Sequence, residues 1–287
     1  MLIKKVNAFT DSIYGGNPAG VVIKPSKLTD EIMKKITRKI KVSETAFVYP
    51  SKIANFKLRF FSPKVEVDLC GHATIATFFT LAEEGILKSE SNRMTITQET
   101  KAGILPVDIF FENKLCERVM MQQKSPIILD CKINIAEIAN SLGVNKNEID
   151  ESLPTQIVST GLFTLPICLK SLSFLKKIRP NFEKIKNICL RENIGSFHIF
   201  SFETIEDISL YHARNFAPCY GINEDPVTGT ANGALSYYLF KNNIIKEKEF
   251  ICEQGDIIGR PGRVFINVGT NCVYVGGRAK FVSEFEL

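Results

Sequence analysis

An internal repeat is the feature that most limits how this chain of 287 residues can fold. The motif Arg-x-Phe-x-Pro begins at Arg59 and occurs again at Arg214. A second block, from Glu66 to Ala76, aligns with the block from Glu224 to Ala234, with three residues inserted between the two blocks in the second copy. Two ordered blocks at nearly one offset indicate a duplication. The sequence therefore predicts two similar lobes with matching blocks in matching places.

Short alternating strands dominate the rest of the pattern, with a few helices between them. Phe56–Phe61 is typical of such strands. A helix is predicted after the cap residue Thr29, with an apolar face formed by Ile32, Met33, Ile36 and Ile40. A second helix is predicted from Asn134 to Leu142, ended by Gly143. We expect an N-terminal lobe over residues 1–113, joined by a returning C-terminal strand at 276–287, and a C-terminal lobe over 114–275.

Each copy of the second block leads into an apolar helix that starts at a glycine. Gly71 precedes the run Ile75–Ala82, and Gly229 precedes Ala234–Phe240. A helix N-terminus has unpaired N–H groups and a positive dipole end, and glycine lets a ligand oxygen approach closely. Such an end binds carboxylate or phosphate. Two buried helices are therefore predicted to hold one anionic substrate between the lobes. The alternative is that each glycine only belongs to a helix cap.

Three side chains are candidates for acid–base chemistry. Glu44 has apolar neighbours and follows a predicted helix, Asp225 lies four residues before Gly229, and His72 follows Gly71. If they are buried near one another, a carboxylate and an imidazole can take up and return a proton near neutral pH. The alternatives are an exposed turn carboxylate for Glu44 and helix caps for Asp225 and His72.

Composition and motif spacing argue against several other classes of protein. The eight cysteines form no C-x-x-C, and the three histidines have neither H-x-H nor H-E-x-x-H spacing, so no metal is expected. The chain start lacks the apolar core of a signal peptide, and no apolar run approaches the ~20 residues of a membrane helix, so we expect a cytoplasmic protein with reduced thiols. The net charge is +5, and the basic run 34–41 is interrupted by isoleucines at helical spacing. No membrane or nucleic-acid partner is therefore expected.

Five blocks in order along the chain resemble the phenazine-biosynthesis isomerase-like (PhzF-like) family. They extend from residue 7 to residue 261 and cover nearly the whole chain. The blocks are Asn7–Thr10 with Gly15–Gly20, Ser43–Phe47, Cys70–Thr74, Glu224–Thr230, and Glu253–Gly255 with Gly259–Pro261. The resemblance implies the diaminopimelate-epimerase-like fold. This is an α+β fold with two pseudo-symmetric lobes, each a curled, mostly antiparallel sheet around a central helix.

The resemblance also implies a cofactor-free isomerase acting on a small carboxylate-bearing substrate. Glu44 would be its general acid/base, with Asp225 and His72 assisting and orienting. Backbone amides at Gly71 with His72, and at Gly229 with Thr230, would bind the substrate carboxylate, and Asn17 is placed among the binding residues. Many members carry Ser where this chain has Thr230, so the hydroxyl is retained. Family members are often homodimers.

In related epimerases and proline racemases, two cysteines face each other at these helix starts. The corresponding positions here, assigned to the binding site, are Cys70 and Thr228. A hydroxyl with a pKa well above 10 cannot replace a thiolate whose pKa is about 8.5, so racemisation by two thiols is disfavoured. Epimerase, racemase or dehydratase chemistry through Cys70 is one alternative. A non-catalytic metabolite-binding or protein-interaction module is the other, because a fold does not fix a function.

Overall fold

The computed structural model describes residues 1–25 and 27–286, which form two compact units. Residues 1–122 with 276–287 form the first unit, and residues 123–275 form the second. The helices are α1 (Asp30–Ile40), α2 (Gly71–Glu83), α3 (Ile135–Leu142), α4 (Leu172–Lys177), α5 (Phe182–Glu192) and α6 (Gly229–Lys241). The strands are β1 (Leu2–Ala8), β2 (Asn17–Ile23), β3 (Glu44–Tyr49), β4 (Phe56–Phe61), β5 (Glu66–Val67), β6 (Arg93–Thr100), β7 (Gly103–Glu112), β8 (Leu115–Gln122), β9 (Ile127–Asp130), β10 (Gln156–Ser159), β11 (Phe163–Cys168), β12 (Ser196–Ser201), β13 (Ser209–Ala217), β14 (Ile222–Asp225), β15 (Glu249–Gln254), β16 (Gly262–Val268), β17 (Val273–Gly277) and β18 (Ala279–Glu286).

The first unit is a curled sheet around α2. Its strands pair in the order β18-β1-β2-β3-β4-β6-β7-β8, with β5 also paired to β4. Only the β2–β3 and β4–β6 pairs in this order are parallel. Helix α2 contacts β18 and β1 near one end of the order and β8 at the other, so the sheet bends around it. Because β8 pairs with β7, the first unit continues to Gln122.

The second unit repeats this topology around α6. Its strands pair in the order β9-β10-β11-β12-β13-β15-β16, with β14 also paired to β13, and the parallel pairs are β11–β12 and β13–β15. Helix α6 contacts β10, β11, β12 and β16. The six pairings of this order match the first six pairings of the first unit's order one for one, and β8 is an additional strand of the first unit. The predicted α+β fold is therefore confirmed, with each duplicated lobe a mostly antiparallel sheet around a central helix.

The repeated Arg-x-Phe-x-Pro motif supports the fold in both units. Arg59 donates from Nε to Glu66 Oε1 over 2.8 Å, and Arg214 makes the same 2.8 Å contact with Glu224. Each guanidinium also lies over the motif's phenylalanine, 4.9 Å from one ring centroid and 5.0 Å from the other. The three extra residues of the second copy lie between Pro218 and Glu224, where the chain makes a 3₁₀ turn at Pro218–Tyr220. The repeated motif thus joins two neighbouring strands by a bidentate ion pair.

The two helices predicted from caps and periodicity form where expected, with one error in the apolar face. The Thr29 hydroxyl accepts from the backbone N–H of Ile32 at the start of α1, and Gly143 ends α3 in the left-handed region at φ 69°. Ile32, however, is 43% exposed, and Thr37 is buried in its place. Residues 33, 36, 37 and 40 share one face at 3.6 residues per turn. Thr37 tolerates burial because its hydroxyl donates to the carbonyls of Met33 and Phe61.

In the described part of the chain, no helix is long and apolar enough to cross a membrane.

Candidate active site

Glu44, Cys70 and His72 lie together in the first unit. Glu44 is the first residue of β3, and Cys70 immediately precedes α2, so the ends of two neighbouring elements supply the group. The Nε2 atom of His72 is 3.4 Å from Glu44 Oε2 and 3.3 Å from Ser43 Oγ. The other ring nitrogen, Nδ1, is 3.4 Å from the sulfur of Cys70. The imidazole therefore lies between a carboxylate and a thiol.

The carboxylate and the imidazole are largely shielded from solvent. The side chain of Glu44 is 18% exposed and that of His72 is 12% exposed, which does not fit a freely exposed turn carboxylate. Proton exchange requires a heavy-atom distance of about 2.6–3.2 Å, and the 3.4 Å contact between the Glu44 carboxylate and the His72 imidazole is a few tenths of an ångström longer. The structure thus brings together two of the three side chains for which the sequence suggested acid–base chemistry.

Asn17 lies at the same edge of the first unit's sheet. It begins β2, which runs parallel to β3, and the register pairs Ala19 with Glu44. Asn17 is therefore two residues from the register partner of Glu44, and it is 3% exposed.

Asp225 and Thr228 lie in the second unit, beside the start of α6. The hydroxyl of Thr228 donates to Asp225 Oδ2. Gln254, from β15, donates to the carbonyl of Asp225 over 2.9 Å and to the Thr228 hydroxyl over 3.1 Å. Its amide oxygen accepts from the Thr228 backbone N–H over 3.1 Å and from Asn232 over 2.7 Å. Gln254 thus fixes the entry into α6 by four hydrogen bonds.

Neither central helix is capped by its own N-cap side chain. Cys70 and Thr228 occupy the N-cap positions of α2 and α6, and neither makes a side-chain cap hydrogen bond. Threonine is a good capping residue, but here its hydroxyl is bonded to Asp225 and Gln254 instead. The first-turn N–H groups, at Gly71 and His72 and at Gly229 and Thr230, have no acceptor within their own helix. Both helix starts therefore have the N–H groups and the positive dipole end that the predicted anion binding requires.

Glycine at position 71 is not required by packing. A Cβ built there would meet only the sulfur of Met121, at 3.8 Å, which is an ordinary van der Waals contact. Crowding therefore does not explain glycine at this position, whose bare backbone leaves room for the predicted approach of a ligand oxygen.

Sequence reasoning missed a buried polar network beneath α6. His198, from β12, contacts Asn232 Oδ1 through Nε2 at 3.2 Å and Asn215 Oδ1 through Nδ1 at 3.3 Å. Burial lowers the pKa of the His198 imidazole from 6.5 to about 4, although both hydrogen bonds oppose this shift. The one signal in the sequence was the Glu253-Gln254-Gly255 block, whose role could not be assigned from the linear pattern.

The predicted site residues divide between the two units. Glu44, Asn17, Cys70, Gly71 and His72 belong to the first, and Asp225, Thr228, Gly229 and Thr230 belong to the second. Their roles in binding and catalysis stay predictions, as does a single substrate held by both helix ends.

Comparison with known proteins identifies similar chains over the full length. The family model described as phenazine biosynthesis-like protein matches residues 6–284. An uncharacterized isomerase, YfhB, of Bacillus subtilis is 37% identical over 279 residues, which cover 97% of this chain and 92% of that protein. The crystal structure of a Bacillus anthracis phenazine biosynthesis protein of the PhzF family is 35% identical, with a TM-score of 0.90 and coverage of 100% of this chain and 98% of that one.

A more distant structure shares only the fold. A hydroxyproline epimerase from Agrobacterium vitis has a TM-score of 0.67 at 14% identity and covers 100% of this chain and 90% of its own. This likeness agrees with the epimerase-like architecture expected from the sequence.

Proposed function

Because the chain belongs to the phenazine biosynthesis-like (PhzC-PhzF) family, whose relatives include named isomerases, we propose that it is an isomerase that shifts a proton within a small carboxylate-bearing metabolite. The observation that carries the proposal is the Glu44–His72 contact of 3.4 Å beside the uncapped start of α2. This arrangement combines a proton acceptor with an anion-binding helix end. In this proposal the protein's own residues perform the reaction, and no cofactor takes part.

The substrate carboxylate accepts hydrogen bonds from the backbone N–H groups at Gly71 and His72. Removal of a proton from the adjacent carbon develops enolate-like charge, and donors already in place stabilise such charge by roughly 3 kcal/mol each. The α6 start, at Gly229 and Thr230, offers a second set of donors of the same kind. Their contribution depends on the positioning of Thr228 by Gln254.

Glu44 removes the proton from the acidified carbon and returns it at another carbon of the same substrate. His72 positions the carboxylate by its contact through Nε2, and the Ser43 hydroxyl contacts the same nitrogen. Asp225 is assigned a second, assisting role in the other unit, where it is fixed by Thr228 and Gln254. Because the Glu44 carboxylate takes up one proton and returns the same number, the cycle leaves it unchanged and needs no other reactant.

The test compares Glu44→Gln with Glu112→Gln, a control at the exposed end of β7. Both variants and the parent are incubated with candidate carboxylate substrates in deuterated water, and product and deuterium incorporation are followed by NMR. A positioned general base contributes about 10²–10⁴-fold, so Glu44→Gln is expected to lose that factor while Glu112→Gln keeps full turnover. Undiminished turnover by a folded Glu44→Gln protein would dismiss Glu44 as the base.

A second candidate function rests on the 3.4 Å contact between Cys70 Sγ and His72 Nδ1. A thiol beside an imidazole is a common arrangement for thiolate chemistry, so epimerase or dehydratase activity through Cys70 is the rival proposal. The two proposals rank the variants in opposite order. Chemistry at Cys70 predicts that Cys70→Ala is the more damaging change and that elimination or epimerised products accumulate. Chemistry at Glu44 predicts that Glu44→Gln is the more damaging change and that the double bond or proton moves within the substrate.

A further inference from the structure

The thiols of Cys189 and Cys219 lie beside each other in the second unit. Cys189 belongs to the last turn of α5, Cys219 belongs to the 3₁₀ turn at 218–220, and both are free thiols. The Cys189 thiol lies within hydrogen-bonding reach of the Cys219 thiol, and burial together with this neighbour raises the pKa of Cys189 to about 12. A pair of neighbouring free thiols meets the first requirement for a disulfide.

The 3₁₀ turn packs against the end of α5 through three sets of contacts. Cys219 Sγ is 3.7 Å from the carbonyl oxygen of Lys186, and Lys186 and Cys189, three residues apart, share one face of the helix. Cys219 also packs against the apolar cluster that includes Cys189. The ring of Tyr220 covers Gly195, where a Cβ would be 2.9 Å from the ring. These contacts keep the two cysteines together independently of any charge on the thiols.

The first unit has no equivalent of this pair. The C-caps Lys41 and Asn193 align α1 with α5, and this alignment matches Cys189 with Thr37, which is buried and bonds to backbone carbonyls instead. The stretch that carries Cys219 is three residues longer in the second unit than in the first. The duplicated fold therefore forms without a cysteine at either place, so the pair is a separate feature of the second unit.

The two thiols differ in their access to solvent. Cys189 is fully buried, whereas Cys219 is partly exposed. The turn ends at Gly221, around which there is open space, so it can shift toward α5 as an S–S bond of about 2.0 Å forms. Cys219 is therefore the thiol that a reagent in solution meets first, and Cys189 is the thiol placed to react next.

We propose that Cys189 and Cys219 form an intramolecular disulfide when the protein meets a low-molecular-weight disulfide such as glutathione disulfide. The Cys219 thiolate attacks one sulfur of glutathione disulfide and releases one glutathione thiolate. The Cys189 thiol gives up its proton, attacks the Cys219 sulfur of the mixed disulfide and releases the second glutathione. Two protein thiols are thus oxidised to one disulfide, and one glutathione disulfide is reduced to two thiols. The reaction does not depend on the proposed isomerase function.

The disulfide closes a loop of about 30 residues that contains β12 and β13. It also ties α5 to the turn that leads into β14, the strand that ends at Asp225. A disulfide stabilises a fold mainly by restricting the unfolded chain, so we expect the oxidised protein to have a Tm about 5–10 °C above that of the reduced protein.

The experiment incubates the full native chain in glutathione redox buffers of increasing oxidised fraction. Free thiols are then blocked, the chain is digested with trypsin without reductant, and the peptides are identified by mass spectrometry. Cys189 lies in the tryptic peptide 187–191 and Cys219 in the peptide 215–241, and neither peptide contains a second cysteine. The linked pair of peptides should form in the parent and in the control Cys272→Ser, a partly exposed cysteine of the same unit, and should be absent from Cys219→Ser.

Comparison of the oxidised and reduced parent keeps the test decisive if a variant folds poorly. The rise in Tm should appear in the oxidised parent, be reversed by dithiothreitol, and be absent from Cys219→Ser treated in the same way. The proposal is overturned if Cys219 stays unmodified or remains a glutathione mixed disulfide at the oxidising end of the series. It is also overturned if Cys189 is joined to other cysteines as often as to Cys219, or if Cys219→Ser shows the same rise in Tm.

Discussion

Arg59 and Arg214 occupy equivalent positions in the two units, so the same substitution can be made at both. We expect the two substitutions to lower the free energy of unfolding by different amounts. Arg214 is the more deeply buried, with a side chain 8% exposed against 26% for Arg59. Arg214 donates twice to Glu224 and once to the carbonyl of Leu175. Within the described residues it is the only cation paired with Glu224. Arg214→Met keeps the aliphatic stem but leaves both the carboxylate and a buried carbonyl without their donor.

A second cation beside Glu66 limits the loss of stability when Arg59 is replaced. Lys101 Nζ lies 2.7 Å from Glu66 Oε2, and this ion pair remains in Arg59→Met. Breaking a buried pair by removing one member costs about 3–5 kcal/mol, whereas exposed pairs contribute up to about 1 kcal/mol. We therefore expect Arg214→Met to lower the free energy of unfolding by about 3–5 kcal/mol and Arg59→Met by about 1–2 kcal/mol.

The assay is urea unfolding followed by far-UV circular dichroism, with hydrogen exchange and mass spectrometry to identify the unit that opens. Faster exchange is expected in β13 and β14 for Arg214→Met and in β4 and β5 for Arg59→Met. Equal costs for the two substitutions, or a larger cost at Arg59, would refute the reasoning that burial and the second cation decide the difference.

Two further predictions concern the polar network beneath α6. The His198 imidazole has a pKa lowered to about 4 by burial, against 6.5 when unfolded, so stability is fully present above pH 6.5 and falls as the pH drops toward 4. Urea unfolding should show that the free energy of unfolding falls by about 2 kcal/mol more between pH 7 and pH 5 in the parent than in His198→Gln. An equal pH dependence of the free energy of unfolding in the two proteins would contradict the assignment of this effect to His198. Gln254→Leu deprives the Thr228 N–H and the Asn232 amide of their acceptor and should lower the free energy of unfolding, measured in urea, by about 2–4 kcal/mol. The control is Gln156→Leu, at a more exposed position. If Gln254→Leu lowers the free energy of unfolding no more than this control does, water replaces the lost hydrogen bonds.

The sequence predicted those parts of the fold that depend on local signals. The start of α1 is encoded by Thr29 and the end of α3 by Gly143, because caps act through hydrogen bonds and φ values within one turn. The duplication was also visible, because Arg59 and Arg214 each need a glutamate at a fixed place on the neighbouring strand. Both kinds of signal lie within about a dozen residues of the chain.

The unpredicted parts depend on contacts between residues distant in sequence. The parallel pairing of β13 with β15 places Gln254 beside the start of α6, and no short pattern encodes that register. The contact of the His72 ring with Glu44 likewise requires β3 to begin beside the start of α2.

The residues that stabilise the fold are the same in the two halves of the chain, whereas the candidate catalytic residues differ. The groups that hold the scaffold are identical at matching positions, namely Arg59 and Arg214, Glu66 and Glu224, and Gly71 and Gly229. The titratable site residues, in contrast, match residues of another type in the other half. The strand registers and the block alignment pair Glu44 with Ser196, Cys70 with Thr228, His72 with Thr230, and Asp225 with Val67. A racemase that exchanges protons between equivalent thiols needs the same group in both halves. In this chain one half carries the thiol, imidazole and carboxylate cluster, and the other carries an aspartate fixed by an amide. This asymmetry favours proton removal and return by one group, Glu44, over exchange between two.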